Sequence, residues 1–155
     1  MFSRRYILHL LEKELLRAQR YESPFTLLAI ELDLLSQNSH IPYLSTEDTN
    51  LLVGEAARAI RKHIRDSDSP GRAGERTFLC LLPETDVKGT VILAERILKS
   101  LDKDVETSIG PVRMASYAGI IESNDPTIED MAGLLYVEDQ KLTAARDKGL
   151  NCVIK

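Results

Sequence analysis

The 155-residue chain is 43% apolar, 28% charged and 5% aromatic, and its 24 acidic and 20 basic side chains leave a net charge of −4. That is the composition of one ordinary domain, long enough to bury roughly two-thirds of its unfolded surface, without the basic excess that DNA or RNA binding calls for. No apolar run approaches the roughly 18–20 residues of a membrane span, so no direct membrane insertion is expected. Met1-Phe2-Ser3-Arg4-Arg5 is not followed by a signal-peptide core. Cys80 and Cys152, with no CxxC or HxxxH spacing, suggest neither a disulfide framework nor a metal site, and a reducing cytoplasm is the default compartment.

The first twenty residues read as an amphipathic helix, with Tyr6, Ile7, Leu10, Leu11, Leu15 and Leu16 at three- and four-residue steps. Ser23-Pro24 ends it. Phe25 to Leu32 is an almost continuous apolar run that suits a strand covered on both faces. Leu34 to Tyr43, polar and irregular, reads as a loop. Ser45 offers the N-cap of a helix reaching about Arg65, and 66–71 (Asp-Ser-Asp-Ser-Pro-Gly) is a dense turn cluster.

Thr77 to Leu82 reads as a further strand, closed by Pro83, and Asp86 caps a third helix ending near Leu101. Strands at about 105–109 and 112–121 meet at Gly110-Pro111 as a hairpin. Asn124-Asp125-Pro126-Thr127 opens a last helix to about Arg146, and Cys152-Val153-Ile154 adds a short edge strand. This alternation, without repeats or linkers, indicates one α/β (α+β) domain with helices covering a mixed sheet.

The segment Arg72-Ala73-Gly74-Glu75-Arg76-Thr77-Phe78, followed by Leu79-Cys80-Leu81-Leu82-Pro83-Glu84-Thr85, resembles the GGDEF signature of diguanylate cyclases, R-x-G-G-D/E-E-F with an apolar strand and L-P-x-T. The resemblance runs almost end to end. Arg4-Arg5-Tyr6 with Glu14 to Tyr21 is similar to the family's first helix, Ile30-Glu31-Leu32-Asp33 to its D-I-D, Ala94-Glu95-Arg96-Ile97 to its A-E-R-I, and Ala145 to Asn151 to its terminal A-K-x-x-G-R-N. It implies a nucleotidyl-cyclase-like fold: a central, mostly antiparallel five-stranded sheet of the β-α-α-β-β-α-β type, flanked by helices. It also leads us to expect a module from a larger regulatory protein, since the family's preceding D-x-L-T-G-L stretch is missing.

Members of the family condense two GTP molecules into cyclic di-GMP, and two carboxylates hold the divalent ions that neutralise phosphate and oxyanion charge. The resemblance puts Glu31 in one carboxylate position and Arg76 in the other. A guanidinium has no lone pair to offer a metal, so no Mg²⁺ is expected there. Glu75 stands in place of the second glycine and Thr77 in place of the following Glu. Nothing in Leu35 to Asn50 reproduces the guanine-reading F-K-x-x-N-D string: Ser39 stands where its Asn belongs, and Asp48 or Asn50 is at best a distant substitute for its Asp. Arg146 conservatively replaces a phosphate-binding Lys, while Leu150 replaces an Arg. The expectation is a catalytically inactive, degenerate domain.

Arg65-Asp66-Ser67-Asp68 matches the family's R-x-x-D inhibitory site, nine residues before Gly74. There the Arg and Asp grip cyclic di-GMP, the guanidinium on guanine O6 and N7 or phosphate and the carboxylate on N1 and N2 hydrogens. By offset, Arg96 completes that site across a dimer. The leading expectation is therefore a cyclic di-GMP receptor using Arg65, Asp68 and Arg96, signalling through a homodimer or a protein partner. The alternative is a nucleotide-free interaction module, since an Arg at a helix end and an Asp-rich turn are also ordinary capping chemistry. His9, His40 and His63 share no ligand spacing, Cys80 reads as a small buried hydrophobe, and Tyr117 and Tyr136 as core or interface residues.

Overall fold

The computed structural model describes residues 1–36, 39–41 and 43–155. Helix α1 (Arg4–Tyr21) starts at Ser3, whose Oγ accepts from the Tyr6 N–H, and stops at Glu22 in the left-handed region (φ 51°), just ahead of Pro24. Strand β1 (Phe25–Ser36) follows and is longer than its apolar run. The loop expected over 34–43 is instead the end of β1 and a two-residue strand, β2 (Ser39–His40), paired back onto Leu35 and Ser36; Gln37, Asn38 and Pro42 lie outside the described residues. A long partner strand supplies ladder positions as far as Leu35↔Arg113, and that pairing overrides the polar local composition.

Helix α2 (Thr46–His63) is capped by Ser45 as expected, its Oγ accepting from the Asp48 N–H. The turn cluster over 66–71 gives way at Ser69 to β3 (Ser69–Arg72), antiparallel to β4 (Thr77–Pro83). Proline is compatible with this strand because it lies at the sheet margin. Helix α3 (Val87–Leu101) is capped by Asp86. Strands β5 (Lys103–Thr107) and β6 (Gly110–Glu122) form the expected hairpin, turning at Ser108-Ile109 into Gly110 at φ 99°.

The last helix, α4 (Met131–Lys148), starts later than the sequence suggests. Asp125 spends its carboxylate on the Thr127 N–H and hydroxyl, which fixes a turn, and Asp130 becomes the true cap by accepting from Gly133 at 2.9 Å. Strand β7 (Val153–Ile154) runs parallel to β6.

The sheet order is β3-β4-β1-β6-β5, all antiparallel, with β2 added to β1 and β7 to β6. The five-strand path is the expected central sheet, brought to seven strands by β2 and β7, and one helix rather than two separates β2 from β3. Side chains alternate along β1. Leu28, Ile30, Leu32 and Leu34 face α2 and α3, and Leu27 and Ala29 face α1 and α4. The odd-numbered face therefore also carries Glu31, which meets α4. Both margins of the sheet are guarded: β5 is charged and largely exposed, and beyond β3 the Phe2 backbone bonds to Pro70 and Arg72.

Candidate functional site

Two clefts of about 630 Å³ each lie at the two ends of β1. The first gathers Phe25 and Thr26 from the start of β1, His63 and Arg65 from the end of α2, Glu84, Thr85 and Asp86 from the β4–α3 turn, and Glu122. Ile64 leaves the helix in an extended conformation, and a tight turn returns the chain so that the Asp68 N–H donates to the Arg65 carbonyl at 3.0 Å. Asp68 closes that turn with its side chain: Oδ2 accepts from the Arg65 N–H at 2.8 Å and Oδ1 lies 3.4 Å from the guanidinium.

Exposure separates the two partners. The Asp68 side chain is 2% exposed and that of Arg65 57%. The guanidinium is further tethered to the Pro83 carbonyl at 3.0 Å and the Thr85 hydroxyl at 2.7 Å. Arg65 and Asp68 are thus brought together as expected, with the acid inside and the cation at the rim. Arg96 is exposed on α3, one turn beyond the cleft-lining Leu93 and outside the cleft itself. Thr85, the last residue of the L-P-x-T string, joins this site through its bond to Arg65, which the string alone does not indicate.

The second cleft holds Glu31, Asp33, His40, Arg76, Tyr117 and Arg146. The β3–β4 turn that carries Gly74 to Thr77 is pinned from both sides. Ala73 and Gly74 donate to the Thr77 carbonyl, Arg72 reaches the carbonyls of Gly74 and Glu75, and Arg4 reaches that of Ala73. Glu75 is exposed and Phe78 fully buried. Arg76 points its guanidinium at the Ile41 carbonyl, 3.3 Å from both terminal nitrogens.

Glu31 is engaged through one of its two oxygens. Its Oε2 accepts from Arg146 at 2.7 Å and from the Tyr117 hydroxyl, and Arg146 Nε also donates to Tyr117 at 2.8 Å. Burial, and then the Glu31 carboxylate, push the Tyr117 phenol up to about 12, and the same carboxylate raises Arg146. Tyr117 is buried, as expected of a core residue, but its hydroxyl belongs to this network. His40 bonds Asp33 at 2.9 Å.

Asp48 faces elsewhere: buried at the start of α2, it accepts from the Ser108 N–H and hydroxyl, which hold its carboxyl below the usual range. Ser39 pairs with Ser36. Cys80 is fully buried, and burial pushes its thiol up to about 12.

A hairpin with the Gly74 turn, a central strand carrying Glu31 and a last helix carrying Arg146 stand together here, and the family model described as "Diguanylate cyclase, GGDEF domain" matches residues 1–152. The chain belongs to the GGDEF family. Solved structures agree on the fold. The FimX GGDEF domain from Pseudomonas aeruginosa superimposes with a TM-score of 0.82 at 18% identity, covering 100% of this chain and 94% of that one. The coiled coil and GGDEF domain of DgcB from Caulobacter crescentus, solved in complex with c-di-GMP, gives 0.74 at 14% identity, over 98% and 80%. Diguanylate cyclase SiaD from Pseudomonas aeruginosa, in complex with its activator SiaC, gives 0.78 at 24% identity; the match covers 98% of this GGDEF domain but 57% of that chain. Among the described residues, no helix is long and apolar enough to cross a membrane.

Proposed function

We propose that this GGDEF domain is a receptor for cyclic di-GMP and not a cyclase. The observation that carries the reading is the Arg65 guanidinium, held at the mouth of the first cleft by a buried carboxylate and two further acceptors. A fork fixed in this way is pre-organised for guanine O6 and N7 or for a phosphate. Asp68 acts through Arg65, whose backbone and side chain it positions. The carboxylates of Glu84 and Glu122 are acceptors suited to the N1 and N2 hydrogens of guanine. Arg96, exposed on α3, is available to a ligand shared with a second copy of the chain.

Loss of cyclase chemistry is supported by the donor set of the second cleft, which does not fit a divalent ion. Glu31 is already paired with a guanidinium, Arg76 adds a second cation, and among the described residues no three His, Cys, Asp or Glu side chains cluster as metal ligands. The double reversion Glu75→Gly, Arg76→Asp is expected to leave the domain inactive, because the guanine-reading string is also missing. Formation of cyclic di-GMP from GTP by that variant would refute this part of the reading.

The decisive experiment is calorimetric titration with cyclic di-GMP. Micromolar binding, lost at least tenfold in Arg65→Ala with the fold retained, is the expected result; equal affinity in that variant overturns the assignment. A second reading, a nucleotide-free interaction module, is favoured by the large apolar side chains that α1 and α4 leave exposed, Leu16, Tyr21 and Tyr136. Absence of heat with cyclic di-GMP would move the assignment there.

A further inference from the structure

Helices α1 and α4 are neighbours on one side of the sheet. Leu8 and Met131 pack against the same core cluster, and the Gln19 amide donates to the Glu129 carbonyl at 2.9 Å. Each helix turns one face to that core and the opposite face to solvent. On α1 the outward positions, at steps of three and four residues, are Arg5, His9, Lys13, Leu16 and Arg20, all exposed. On α4 they are Tyr136, Asp139, Gln140, Thr143 and Asp147, again all exposed. The first stripe carries bases and no acid, the second acids and no base.

A lone solvated charge needs no partner. Here the charges are sorted by sign onto two adjacent helices. Helix α1 holds five basic and two acidic residues, in a chain whose net charge is −4. Among the described residues Arg5, Lys13, Arg20, Asp139 and Asp147 enter no ion pair within 4.0 Å. Each stripe also presents a large side chain with apolar surface, Leu16 at 62% exposure and Tyr136 at 63%. An acidic partner or an anionic bilayer would be drawn to α1 and repelled by α4. A second copy meets both demands when it is turned about a two-fold axis along the seam between the helices. Helix α1 then lies over α4 of the other copy, and α4 over its α1.

We infer that the outward face of α1 and α4 binds a second copy of the chain in a two-fold, charge-matched dimer. Each 18-residue helix is about 27 Å long and about 10 Å wide. The face therefore measures roughly 500 Å² per copy, short of the roughly 800 Å² per partner of a stable complex. The dimer is correspondingly weak, with a dissociation constant on the order of 100 µM, and salt screens its attraction. None of the stripe residues lines the Arg65 cleft, so the inference is independent of the cyclic di-GMP reading.

The test is sedimentation velocity of the whole chain without nucleotide, from about 10 to about 500 µM, at low ionic strength and again at about 0.5 M salt. A dimer whose share grows with concentration and falls severalfold in salt is expected. The variant Lys13→Glu, Arg20→Glu faces an acidic stripe with an acidic stripe, and Asp139→Lys, Asp147→Lys a basic one with a basic one. Each alone should self-associate severalfold less than the wild type. An equimolar mixture of the two should recover association, because each then offers the other the opposite sign at both contacts. A chain that stays monomeric throughout, a dimer indifferent to both reversals, or a mixture that does not associate overturns the inference. A monomer that pellets with vesicles of anionic lipid overturns it in favour of a bilayer. Should either reversal fail to fold, Leu16→Ser carries the test: weaker self-association is expected, and unchanged association counts against the interface.

Discussion

The two ends of β1 use the same pair of charges to hold different things together. At the Phe25 end a carboxylate, Asp68, is buried and its cation, Arg65, is presented to solvent. At the Glu31 end the carboxylate is the group being neutralised, by a cation carried on α4 and by the Tyr117 hydroxyl. The first arrangement stabilises a local turn and holds a cation at the rim of the cleft. The second ties together residues 86 and 115 positions apart through one carboxylate oxygen. In both pairs the guanidinium is the exposed partner, 57% for Arg65 and 53% for Arg146, so a carboxylate–guanidinium contact says little about function until its other bonds are known.

The sharpest way to break this comparison is to unseat one end alone. A Cβ added at Gly119 of β6 would sit 2.6 Å from the Lys141 Cβ and 3.3 Å from its backbone carbon, so Gly119→Ala must push α4 away. We expect a loss of about 2–3 kcal/mol in denaturant unfolding, with the cyclic di-GMP titration preserved. Next in size is Asp68→Ala, which strands the Arg65 N–H and releases its side chain. It should cost about 2 kcal/mol and weaken cyclic di-GMP although Asp68 is itself buried; an unchanged unfolding midpoint would contradict the clamp.

A third prediction concerns pH. Burial, then Asp139 and Glu31, raise the Glu138 carboxyl of α4 to about 7. The folded state thus favours its protonated form, so its contribution is complete below the ordinary carboxylate range and is lost as pH rises through about 7. Relative to Glu138→Gln, the wild type should lose about 1–2 kcal/mol between pH 5 and pH 8, a difference thermal melts of both proteins would read. A parallel pH dependence in the two would contradict it. The smallest effect is expected for Glu31→Ala, below about 1 kcal/mol, because the Arg146 side chain is 53% exposed and regains water.

Much of the fold could be read locally. Ser45 and Asp86 cap their helices as their positions suggest, and the apolar run of β1 is buried on both faces. What escaped was decided by distant partners. Ser69–Arg72 is a strand because β4 is there to pair with it, although its residues spell a turn. Asn124 to Thr127 looks like a helix start until Asp125 is seen bonding Thr127.

At the sites, the nine-residue offset to Gly74 singles out Arg65 and Asp68, and the structure brings these two together in one turn. Spacing could not show that Asp68 is sealed, that Thr85 holds Arg65, or that Tyr117 and Arg146 meet over Glu31. The last of these arises from the register of β1 with β6, where Glu31 stands opposite Tyr117.

The guarded margins of the sheet bear on how the protein behaves at high concentration. An open strand is a template on which another chain can add by backbone pairing. Here one margin is the sequence Lys-Asp-Val-Glu-Thr, which any incoming strand would meet as a row of charges. The other is four residues long, contains a proline that donates nothing, and has its Pro70 carbonyl and Arg72 N–H already engaged by Phe2. Both margins therefore disfavour the addition of a further strand, which turns self-association of this domain toward side chains and helices.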